Sequence, residues 1–81
     1  MERVNVEVFP IEGDRWIAVI ETSRGPFSTE ARSPGRVEHE ARDAIASVLG
    51  LTDVELVLLD DLGDPWSPAS ADEQATRLLG P

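Results

Sequence analysis

Cysteine and lysine are both absent from this 81-residue chain. Without cysteine there is no disulfide framework, no thiolate metal site and no cysteine nucleophile, and without lysine there is no Schiff-base chemistry. No glycine-rich phosphate cradle occurs, and Ser28, Thr29 and Ser47 have no base at a recognisable spacing. No apolar run approaches the length that spans a bilayer. The opening MERVNVEV alternates polar with apolar residues, where a signal peptide would be continuously apolar. The expectation is a soluble cytoplasmic chain without membrane association, cofactor or bound metal, and not an enzyme.

Positive charge is scarce as well. Seven arginines face sixteen acidic residues, a formal net charge of -9. Phosphate backbones are bound through Lys and Arg, so direct nucleic-acid binding is not expected; a basic protein partner is electrostatically favoured. The length is that of one small domain, whose core is only marginally stabilising, so burial against a second copy or a partner is expected.

The best-specified element is the helix within Ser33–Leu51. Ser33 is placed as its N-cap and Pro34 at its first position, where a missing donor costs nothing. Val37, Ala41, Ala44, Ile45 and Val48 form one apolar stripe, and Gly50 is placed as the left-handed residue after the last turn near Leu49.

Before this helix, alternation over Arg3–Phe9 predicts a strand with Val4, Val6 and Val8 on one face. After a turn over Pro10–Asp14, Arg15–Glu21 is a second strand, and after Gly25-Pro26 a more polar third strand carries Phe27, Thr29 and Ala31 on one side. Asp53–Leu59 reads as a fourth strand, and the helical crossover favours a parallel neighbour. The expected fold is α+β: two layers in the order βββαβ, one four-stranded mixed sheet of order 3-2-1-4 packed on one helix, and a short C-terminal helical tail. Residues 1–60 would form the domain. Residues 61–81 would form an acidic, proline-containing tail with a helix at about 71–79, opened by Ser70 and Glu73.

The sheet face away from the helix would carry Phe9, Ile17, Val19, Val57 and Leu59, too apolar to leave bare. Either the tail, a second copy or another partner would cover it. The tail helix is too short to stand alone, so Ala75, Leu78, Leu79 and Trp66 would dock on something, unless the tail is disordered.

Several stretches in this order resemble the HicB family of toxin–antitoxin antitoxins in its short form. They are Gly13-Asp14-Arg15-Trp16 opening strand two, Gly25 before strand three, Ser28-Thr29-Glu30-Ala31-Arg32, and Val37-Glu38-His39-Glu40-Ala41-Arg42-Asp43-Ala44-Ile45 in the helix. The similarity covers roughly residues 3 to 59. It implies the same sheet-and-helix fold and neutralisation of a small basic RNA-cleaving toxin. Many members also carry a C-terminal DNA-binding domain, and here the sequence departs: residues 60–81 hold five acidic groups, Asp60, Asp61, Asp64, Asp72 and Glu73, against Arg77 alone.

His39, one turn from Asp43, reads as a solvated pair rather than a catalytic one. Asp60, Asp61 and Asp64 lack the spacing of a calcium loop. Trp16 reads as core. The candidate partner-binding residues are Trp66, Phe9, Ile17, Val19, Glu30, Arg32, Leu78 and Leu79, on a protein-binding antitoxin-type module that forms a homodimer. A stand-alone homodimer of the same fold without a toxin partner is the alternative.

Overall fold

The computed structural model describes residues 1–12 and 14–80. The elements run β1 (Glu2–Pro10), β2 (Trp16–Ile20), β3 (Phe27–Ala31), α1 (Val37–Leu49), β4 (Val54–Leu59) and α2 (Ala71–Leu79). The sheet order is β3-β2-β1-β4, with β1 antiparallel to β2 and parallel to β4. This is the expected α+β architecture. The expected turn residue Gly13 lies outside the described residues.

The alternation of each strand decides which side is buried. Val4, Val6 and Val8 of β1 share a face with Trp16, Ala18 and Ile20 of β2, and α1 presses Val37, Ala41 and Ile45 onto it. Valine and isoleucine suit a pleated, half-buried surface, and the alanines let the helix approach closely. Val48 departs from the expected stripe: it stands 56% exposed, at the end of the helix. Leu49 and Leu51 pack against the core there instead.

The start of the helix also differs from expectation. Ser33 makes no side-chain cap; Pro34–Arg36 form a 3-10 turn in which the Arg36 amide donates to the Ser33 carbonyl at 3.1 Å. The tight turn satisfies a terminal donor with backbone alone, in place of a hydroxyl cap. The end behaves as read: Gly50 is left-handed at φ 69° and its amide reaches Ala46 O at 3.0 Å.

The tail does not cover the outer sheet face. It docks beside α1 on the inner face, where Trp66 and Ala71 enter the same core as Val8 and Trp16. The Trp66 and Trp16 rings meet at 5.8 Å with a 59° tilt, a favourable aromatic geometry. Residues 68–70 form a second 3-10 turn, in which Ser70 Oγ donates to Ser67 O and accepts from Ser67 N. Ser70 therefore does not cap α2 as its spacing to Glu73 suggests.

Candidate interaction face

With both helices on one side, the other side of the sheet lies open. The strand registers set its side chains in rows. Glu30, Ile17 and Phe9 are level across β3, β2 and β1; next come Ser28, Val19, Glu7 and Leu59; then Asn5 and Val57, with Glu21 beside Asn5. Phe9, Ile17, Val19, Val57 and Leu59 are all half-buried, flanked by neighbours but not covered.

The rows show what alternation alone conceals. The face is not one apolar sheet: Glu7 stands at its centre, between Val19 and Leu59 on the neighbouring strands. Glu7 is half-buried, and none of the ion pairs among the described residues includes it. Two cross-strand pairs frame the face instead, Arg3 with Glu55 at 3.6 Å and Arg15 with Glu30 at 3.7 Å. Beside Glu7 an open cleft runs between Asn5, Glu7 and Glu21 and a wall formed by Leu59 to Gly63. Its lining is acidic and apolar together, which suits a guanidinium or ammonium group carried among apolar side chains.

The wall of the cleft is fixed by the tail. The Asp60 carboxylate accepts from the Leu62 and Asp64 amides at 2.8 and 2.9 Å, closing a tight turn. Asp61 holds Arg77 through two bonds of 2.8 and 2.9 Å and also accepts from Gln74. The Arg77 guanidinium, followed by the Gln74 amide, holds the Asp61 carboxyl well below the usual carboxylate range, and Asp61 in turn raises Arg77. Asp60 and Asp61 of the acidic linker therefore serve as turn and lock.

The proposed binding residues separate into four groups. Phe9, Ile17, Val19 and Glu30 come together on the open face. Leu78 and Leu79 stay on the surface of α2, 44% and 51% exposed, and do not dock as expected; Ala71, Gln74 and Ala75 fill that role. Arg32 follows β3 and lines a groove with Arg36 and Glu40. Trp66 is a correction: at 5% exposure it is core, its indole N–H donating to Gln74 Oε1 at 2.8 Å, so it presents nothing to a partner. Glu7, Glu21 and Asn5 were missed, since in sequence they are only the polar half of an alternation.

His39 and Asp43 pair at 3.2 Å on the exposed side of α1, and Glu40 stands close enough to share a cation with them. Arg36 already occupies Glu40 at 3.2 Å, and the His39 and Asp43 side chains stand exposed to solvent. Among the described residues, no helix is long and apolar enough to cross a membrane. The chain matches no protein-family model, no curated protein and no solved structure.

Proposed function

We propose that the chain is a non-catalytic protein-binding module of the HicB antitoxin type, acting in the cytoplasm, whose open sheet face covers a small basic RNA-cleaving toxin. The observation that carries this reading is Glu7, a half-buried carboxylate with no ion-pair partner among the described residues, at the centre of an uncovered face and flanked there by Val19 and Leu59. A partner arginine or lysine would meet that charge, and Phe9, Ile17 and Val19 would supply apolar area around it. The net charge of -9 favours the encounter at long range. The order of strands and helix agrees with what the HicB resemblance implies.

The test is co-expression with the product of the neighbouring gene, followed by co-purification and an RNA-cleavage assay. Binding with suppression of cleavage supports the reading. A neighbouring product that neither binds nor cleaves RNA overturns the toxin-neutralising role. The alternative, a stand-alone homodimer of this fold, is favoured by one separate feature: among the described residues, no strand pairs with the outer edge of β3.

A further inference from the structure

The two edges of the sheet are not alike. The outer edge of β4 is occupied at both ends: the Trp66 amide donates to Leu58 O at 2.9 Å, and Arg42 Nη1 donates to Val54 O at 3.1 Å. At the other edge, no strand among the described residues lies beyond β3. Which of its groups are free follows from the ladder. The Glu21 amide bonds to Asn5 O at 3.0 Å, so in the regular antiparallel alternation Glu21, Val19 and Ile17 turn their backbone toward β1. Trp16, Ala18 and Ile20 then turn toward β3 and bond Ala31, Thr29 and Phe27. Ser28 and Glu30 are left with amide and carbonyl directed outward.

We propose that this edge pairs with the same edge of a second copy, antiparallel about a two-fold axis through Thr29, making one continuous eight-stranded sheet. The register is selected by the residues. Centred on Thr29, each Ser28 faces the partner copy's Glu30, and both are outward-directed, so each pair exchanges both of its bonds. Centring on Glu30 would set two carboxylates directly opposite. Centring on Ser28 would set Glu30 against Pro26, which has no amide to donate. In the Thr29 register each Glu30 carboxylate remains neutralised by Arg15 of its own chain at 3.7 Å.

Two copies of net charge -9 repel at long range, which slows their encounter and lets added salt speed it, but the charge at the edge itself is mixed. The acidic surface lies at Glu7, Glu21 and the 60–64 turn, whereas the edge carries Arg24 and Arg32 around Glu30. The two-fold axis runs perpendicular to the sheet, so both copies present their open faces on the same side, and Ser28 and Glu30 of each join them into one surface. A partner would therefore meet a face built from two chains. The pairing deepens the homodimer reading, whose observation it shares, and is compatible with toxin neutralisation without resting on it.

Light scattering after size-exclusion chromatography of the full chain tests the proposal. At about 100 µM, a Kd near 1 µM leaves the chain at twice its own mass. Ser28→Pro removes one outward donor from an edge strand, a position that accommodates proline, and is expected to give a monomer with unchanged far-UV circular dichroism. Amide exchange on the unmodified chain gives a readout independent of any variant: Ser28 and Glu30 are expected to be protected, increasingly so with concentration. A monomer at about 100 µM, a dimer whose Ser28 and Glu30 amides exchange as freely as solvent-exposed ones, or a dimer undisturbed by Ser28→Pro would each overturn it.

Discussion

Trp66 and Gln74 share a hydrogen bond of 2.8 Å inside the core, and the same glutamine amide donates to Val8 O at 2.8 Å and to Asp61 Oδ1 at 3.0 Å. One side chain, 3% exposed, thus ties the tail to the strand it covers. Val8 O is available because β4 ends at Leu59, opposite Glu7, leaving the last residues of β1 without a strand on that side.

Gln74→Leu keeps the volume and deletes all three bonds. It leaves the indole N–H and the Val8 carbonyl buried without partners, at about 1–3 kcal/mol each. Urea unfolding should show a lower midpoint at an unchanged slope. Trp66→Phe, which loses the donor and part of the ring, should be milder than Trp66→Ala, for which about 3–5 kcal/mol is expected. A Gln74→Leu chain as stable as the parent would show that the amide is not the lock.

The Asp61–Arg77 pair predicts a pH dependence. The Asp61 carboxyl is depressed in the folded chain, so its contribution is complete above the ordinary carboxylate pKa and declines as pH falls toward the folded value. The stability advantage of the parent over Asp61→Asn should be constant between about pH 8 and pH 5 and shrink progressively below about pH 4. Added salt should reduce it at neutral pH, because Arg77 is exposed enough to be screened. An advantage independent of pH would show that the carboxylate charge contributes nothing.

A chain truncated after Asp60 loses Trp66 and Ala71 from the core and uncovers Trp16 and Val8. Broadened thermal unfolding, red-shifted Trp16 emission and dye binding to the uncovered inner face are expected. Cooperative unfolding at the parent temperature would show that the first sixty residues hold the fold alone.

The strands, the helix and the sheet order were legible because each rests on a local signal: alternation in Val4, Val6 and Val8, the three-and-four spacing of Val37, Ala41 and Ile45, the left-handed Gly50. The side of the sheet that the tail covers was not legible. It depends on where β4 stops relative to β1 and on the reach of Gln74 to Val8 across 66 positions, and neither leaves a periodic trace. Trp66 misled for the same reason: a tryptophan in a proline-broken acidic stretch resembles a surface anchor until its indole partner is known. Glu7 was visible as a polar residue in β1, but its central place emerges only when three strands are aligned.

Glu7 yields the sharpest test of the open face. It has no ion-pair partner among the described residues, so Glu7→Arg should change folding stability by no more than about 0.5 kcal/mol. Binding of a basic partner should nevertheless fall by at least about tenfold, since a like charge would stand where its cation docks. Glu73→Arg on α2, an exposed position on the opposite layer, makes the same change in net charge and should alter only the rate of association and its salt dependence. Surface plasmon resonance with the neighbouring gene's product separates the two effects: Glu7→Arg should accelerate dissociation, and Glu73→Arg should slow association. Equal losses in both variants would mean that the partner senses the overall field of the chain, and the open face would then have no claim to be the docking site.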